Sequence, residues 1–186
     1  MKTIKTTLIT EALFSEDGLK RYLLRKVWDE TKPKLAVIML APSGASGIEL
    51  DNSTQLVLNN AVGLDYGSVD ILNLFATLND FSLKEAEDKD DENIKVIIKS
   101  AKNANTIVYA AGVGKLKNKT FQKRQKMVLN ELSAFEGKLN CLCNENGDAR
   151  FQHPLSPAVR VWKLSPFKIG EVINDVNESE KETQSK

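Results

Sequence analysis

The distribution of apolar and polar positions divides the chain into extended and helical stretches. Lys34 to Leu40 carries a continuous apolar run bounded by Pro33 and Pro42, the pattern of a strand buried on both faces. Val69 to Phe75 reads as a second buried strand, Thr106 to Ala110 as a third and Leu139 to Cys143 as a fourth. Between them the period changes. Asn52 to Leu64 places Leu56, Val57, Asn60, Ala61 and Leu64 at helical intervals behind a cap at Asp51 or Ser53. Asn93 to Ala104 puts Ile94, Ile97, Ile98 and Ala101 on one helical face, and Phe121 to Phe135 does so with Phe121, Val128, Leu132 and Phe135. Ahead of these units, Thr6 to Thr10 and Arg21 to Trp28 have strand character and are joined by the turn-rich Ser15-Glu16-Asp17-Gly18, which predicts a hairpin beside the main sheet.

Strands alternating with helices predict an α/β fold, a three-layer α/β/α sandwich with a central, mainly parallel four-stranded sheet plus the N-terminal hairpin. At 186 residues the chain suits one domain with a full core, expected over residues 1–173. Apolar residues become rare from Asn174 to Lys186, and that polar tail is expected to be disordered. A formal charge of +1 argues against a uniform positive field, so contact with nucleic acid would need a local patch. No apolar run approaches the length of a membrane span. Cys141 and Cys143 are expected on opposite faces of one strand, unbridged, in a reducing cytoplasmic setting. The residue types visible here give no metal centre and imply no cofactor.

Four features carry candidate chemistry. Ala41-Pro42-Ser43-Gly44 follows the first buried strand and reads either as a simple turn or as one wall of a pocket. Asn73 closes the second buried strand; its side chain offers both a donor and an acceptor, to a ligand or to loop backbone. His153, the one histidine in the chain, precedes Pro154 in a restricted loop, which favours a site over a helix face. Lys115, Lys117, Lys119, Lys123, Arg124 and Lys126 follow Gly112 and Gly114 and suit phosphates, an acidic protein surface or plain solvation. The acidic run Asp80, Glu85, Glu87, Asp88, Asp90, Asp91 and Glu92 reads as a linker and helix-start carboxylates.

Met39-Leu40-Ala41-Pro42-Ser43, Leu50-Asp51, Ile71-Leu72-Asn73-Leu74-Phe75-Ala76, Ala110-Ala111-Gly112-Val113 and His153-Pro154-Leu155 together resemble the bacterial family called domain of unknown function 1643, over Tyr22 to Ile169. That family is similar in turn to the uracil-DNA glycosylase superfamily. The resemblance implies that Met39 to Gly44 corresponds to the water-positioning motif, with Ala41 where an acid or asparagine stands and Ser43 where a pocket-shaping tyrosine stands. It implies a base-reading role for Asn73. It implies that His153 stabilises a departing base oxygen, and that Leu155 belongs to the loop that wedges into a duplex, with Pro154 and Ser156 shaping that loop. A methyl group cannot orient water, so the resemblance implies a pseudoenzyme with degenerate pocket positions Ala41, Pro42, Ser43, Asn73 and His153.

Relatives in staphylococcal chromosome cassettes share their mobile elements with a small acidic inhibitor of uracil-DNA glycosylase that mimics DNA. The resemblance therefore implies a protein-binding module that engages this inhibitor through His153, Pro154, Leu155 and Ser156, with Lys115, Lys117 and Lys119 supplying charge and DNA binding weak or absent. In this role it would relieve inhibition of the true enzyme. Two other functions remain open from the residues. One is an active glycosylase with Ser43, Glu49 or Asp51 as the water-activating group. The other is a nucleotide or single-stranded nucleic-acid binding module using Asn73 and the Gly112-Val113-Gly114 turn.

Overall fold

A computed structural model of the chain describes residues 1–44, 48–78, 82, 90–147 and 149–172. The elements run β1 (Ile9–Phe14), β2 (Arg21–Val27), β3 (Lys34–Met39), α1 (Asn52–Gly63), β4 (Ser68–Asn73), α2 (Asp91–Asn103), β5 (Thr106–Tyr109), α3 (Lys119–Glu131), β6 (Leu139–Cys143) and β7 (Lys163–Pro166), with a 3-10 segment at Leu132–Lys138 and another at Pro157–Val159. All seven strands form one sheet in the order β1-β2-β4-β3-β5-β6-β7.

The four buried strands read from the apolar runs are the parallel centre of that sheet, β4-β3-β5-β6. The expected four-stranded sheet is nevertheless too small. The hairpin is continuous with the centre because β2 pairs antiparallel with β4, Leu24 facing Ile71 and Val27 facing Ser68. At the far side β7, which carries no apolar run to signal it, pairs antiparallel with β6. The first strand also lies later than Thr6 to Thr10. Its position is fixed by register against β2, from Ile9 facing Val27 to Phe14 facing Arg21, and the turn between them closes through the Ser15 N–H to the Lys20 carbonyl at 3.0 Å, with Gly18 at a φ of 71°.

Alternation along β3 explains why its run is unbroken. Leu35, Val37 and Met39 enter one cluster with Val57 and Ala61 of α1, whereas Ala36 and Ile38 enter another with Ile97 and Ala101 of α2 and Phe121 and Val128 of α3. Each fully buried Leu or Ile in these clusters contributes about 1.5–3 kcal/mol of transfer free energy. The helices begin where side chains satisfy free backbone donors: Asp51 accepts the Thr54 N–H, Asp90 the Asn93 N–H and Asn118 the Phe121 N–H. Cys141 and Cys143 are buried and unbridged. The expectation that they face opposite ways is corrected: two apart on β6, they share the face that Leu142 avoids.

One buried polar centre braces the middle of the sheet. Asp70 on β4 is fully buried and receives Arg25 Nε at 2.7 Å and Nη2 at 3.0 Å, Lys34 Nζ at 2.8 Å, and the hydroxyl of Ser100 from α2. Burial pushes its carboxyl pKa up, but the bonds from Arg25, Lys34 and Ser100 outweigh that and hold it below the ordinary value. No helix among the described residues is long and apolar enough to cross a membrane. The polar tail expected from 174 onwards, and Asp80, Glu85, Glu87 and Asp88 of the acidic run, lie outside the described residues.

Candidate functional site

Topology brings the loops that carry the sequence-selected residues to the carboxyl ends of the parallel strands. From β3 the chain passes through α1 to β4 on one side, then through α2 to β5 on the other, so the loops after β3 and β5 diverge from adjacent strands. In open α/β sheets such a reversal at the carboxyl ends of parallel strands opens a ligand-sized gap. Ala41, Pro42 and Ser43 lie in the loop after β3, and Ala110 to Gly114 in the loop after β5. Backbone bonds seat the first of these: Leu74 N–H donates to the Met39 carbonyl at 2.8 Å and Phe75 N–H to the Leu40 carbonyl at 3.0 Å. Pro42 is buried, whereas Ala41 and Ser43 are half-buried.

The third wall comes from the loop between β6 and β7. Gly112 has a φ of 80°, and a Cβ placed there would stand 3.1 Å from the Cβ of His153. Glycine is required for both reasons, conformation and close approach. His153 is in turn fixed by its own turn: its carbonyl accepts the Ser156 N–H at 2.8 Å, and its Nδ1 accepts the Leu155 N–H at 3.2 Å. An Nδ1 that accepts cannot hold the proton, so neutral imidazole carries it on Nε2 as a donor. Burial pushes the His153 pKa down and the Asp51 carboxylate opposes it more weakly, leaving it below the usual histidine value. Ser156 Oγ donates to Gln152 Oε1 at 2.9 Å, Pro154 is buried, and Leu155 projects with 46% of its surface exposed.

The α1 face of the same edge holds polar atoms left unpaired. Asn73 ends β4 on the side of Val69 and Ile71, towards α1, and its buried Nδ2 has no hydrogen-bond partner. Asp51 uses Oδ1 to cap α1, while its Oδ2 is buried and unpaired, as is Thr54 Oγ1 one turn into the helix. Buried polar groups are ordinarily satisfied, so each of these atoms is suited to a ligand or ordered water. The Asp51 charge acts on both His153 and Arg21. Arg21 is buried at the start of β2, and its Nη1 reaches the Ser43 carbonyl at 3.5 Å.

Sequence reading missed the residues that hold this edge in place. Asn93 Nδ2 donates to the carbonyls of Asn73 at 3.0 Å and Leu74 at 3.1 Å, and Arg124 Nε donates to the Leu74 carbonyl at 2.6 Å. Arg124 is therefore removed from the cationic surface run: it is fully buried in α3, where it binds backbone. Its i+3 and i+4 spacing from Phe121 to Val128, the core-facing stripe of the helix, was the available signal. Arg21 offered none, since a cation opening a strand is ordinarily solvated. Lys115, Lys117 and Lys119 are exposed, a few residues beyond Gly112. Among the described residues, no group of three or more His, Cys, Asp or Glu is placed to hold a metal ion.

The sequence matches the family described as Protein of unknown function (DUF1643) over residues 21–155. The chain belongs to that family. The match opens on Arg21 and closes on Leu155, so the family segment contains the edge described above except Ser156, the next residue. No curated protein matches the sequence.

Proposed function

We propose that this family member is a uracil-DNA glycosylase-like binding protein that has lost base release, and that its partner is a small acidic protein that imitates DNA, the inhibitor of uracil-DNA glycosylase encoded alongside relatives in staphylococcal chromosome cassettes. Capture of that inhibitor would free the true glycosylase. The observation that carries the reading is Leu155: an exposed apolar side chain at the head of a turn closed by two bonds to His153, which packs on Gly112, with exposed lysines a few residues further along the chain from that glycine. An apolar anchor held in one geometry supplies affinity at little ordering cost, and Lys115, Lys117 and Lys119 supply encounter rate with an acidic surface. Ala41 supports the loss of turnover, because its side chain has no atom that could bind or polarise water.

The test is a paired assay on one preparation. Uracil release from single- and double-stranded DNA is expected to stay at the no-protein background, while the inhibitor binds and Leu155→Ala weakens that binding by about 30-fold or more, the scale of a hot-spot truncation. Undiminished binding by Leu155→Ala would remove the anchor. One observation favours a hydrolytic alternative: Asp51 Oδ2 is buried, unpaired and electrostatically felt by His153. On that alternative the wild type releases uracil and Asp51→Asn abolishes the release.

A further inference from the structure

The two edges of the sheet are built differently. β7 begins with Lys163 and ends with Pro166, residue types that discourage another strand from pairing. β1 has neither lysine nor proline, and every residue in it except Thr10 is exposed, including Ile9, Leu13 and Phe14. Among the described residues no strand lies beyond it. The residues leading into it are exposed as well, and they continue its alternating chemistry through Ile4, Lys5, Thr6, Thr7 and Leu8. An exposed edge of this kind, free of proline, is a template for strand addition by a partner that can match its charges, Lys5 and Glu11.

We propose that β1 and its approach pair antiparallel with the same stretch of a second copy, about a two-fold axis at Leu8. In that register Lys5 faces Glu11 of the second copy, Ile4 faces Ala12, Thr6 faces Thr10 and Thr7 faces Ile9. Symmetry repeats each pair, so the contact holds two lysine–glutamate pairs, two threonine pairs and a central leucine contact, all favourable across antiparallel strands. A register centred within β1 would instead set Glu11 against Ala12 and Ile9 against Phe14, leaving no ion pair. Glu11 is available to this role because its side chain is 60% exposed despite an ion pair with Arg25 at 3.2 Å. The surface lies at the hairpin edge of the sheet, and its use does not depend on the function proposed for the His153 edge.

Sedimentation equilibrium on the full chain, from about 1 to 300 µM, should show a monomer–dimer equilibrium with a dissociation constant on the order of tens of micromolar, as befits a small interface. Leu8→Pro should leave the thermal midpoint unchanged, since Leu8 is exposed outside the core, and raise that constant at least tenfold. Lys5→Glu and Glu11→Lys should each be monomeric alone, because like charges then face each other twice. Their equimolar mixture should dimerise again, because each facing pair is once more of opposite sign. A wild type that stays monomeric throughout the range, a dimer indifferent to Leu8→Pro, or a mixture no better than its components would each overturn the proposal.

Discussion

Asp70 and the His153 edge are both polar places in an apolar sheet, and they differ in how completely their atoms are paired. Asp70 has charged or hydroxyl donors from β2, β3 and α2 converging on a carboxylate with no exposure. A few residues along the same strand, Asn73 Nδ2 has no partner, nor do Asp51 Oδ2 and Thr54 Oγ1 at the start of α1. A saturated polar cluster braces a fold, whereas an unsaturated one with its backbone clamped from behind by Asn93 and Arg124 is positioned for something else to complete it. The comparison teaches that polarity at a strand position says little about role until its partners are known.

Three measurements would break or sharpen that contrast. Asp70→Asn should have the largest effect, a loss of about 3 kcal/mol in unfolding free energy by urea titration, because Arg25 and Lys34 would keep their charges beside a neutral amide. A loss below about 1 kcal/mol would show the centre to be dispensable. Gly112→Ala comes next. A methyl group at a φ of 80° and 3.1 Å from the His153 Cβ should cost about 1–2 kcal/mol and displace the Leu155 loop, so that the proposed inhibitor binding would weaken although no proposed contact residue changes. Unaltered stability and binding would mean that the two loops are not packed as one unit.

The smallest effect concerns pH. Burial holds the folded-state pKa of His153 below its unfolded value of about 6.5, so the unfolded chain takes up this proton first. The stability that follows from a neutral imidazole is fully present above about pH 6.5 and is lost as the pH falls through the lower, folded value. Asp70 shares the sign but not the window: its pKa lies below the carboxylate norm of 3.8, so its contribution persists until the solution is strongly acid. His153→Asn keeps an oxygen to accept the Leu155 N–H and cannot titrate. Between pH 7.5 and 5 the wild type should therefore lose more stability than His153→Asn, by less than about 1 kcal/mol given solvent screening at a half-buried group. Parallel pH profiles of the two proteins would show that this histidine does not carry the difference.

How much was legible follows from how each signal is encoded. The buried runs at β3, β4, β5 and β6 and the helical spacing of α1, α2 and α3 are local, since a strand covered on both faces is mostly apolar, Asp70 and Asn73 on β4 being exceptions, and a helix on a sheet must repeat near 3.6. Asp51 was readable as a cap for the same reason. The hairpin was legible but the bounds of β1 were not, nor was β7: edge strands are exposed, their composition is unconstrained by a core, and only pairing with β2 and β6 sets their limits. Of the site, His153 and Asn73 stood out by residue type and context. Arg21 and Asn93 did not, because a buried cation or amide looks like a surface one until the acceptor it meets, often on a distant element, is in view; Arg124 showed only its spacing from Phe121 and Val128.

The sequence by itself determined the alternation of strand and helix, the parallel centre of the sheet, the glycine at 112 and the absence of any heteroatom at Ala41. Tertiary structure alone decided that Gly112 approaches His153, that Arg124 donates to the Leu74 carbonyl, and that Asn73 and Asp51 keep unpaired atoms. The physical reason is range. Periodicity and capping are settled within a few residues of chain, whereas hydrogen-bond satisfaction and burial are sums over neighbours brought together by the topology, and those neighbours have no fixed separation in the sequence.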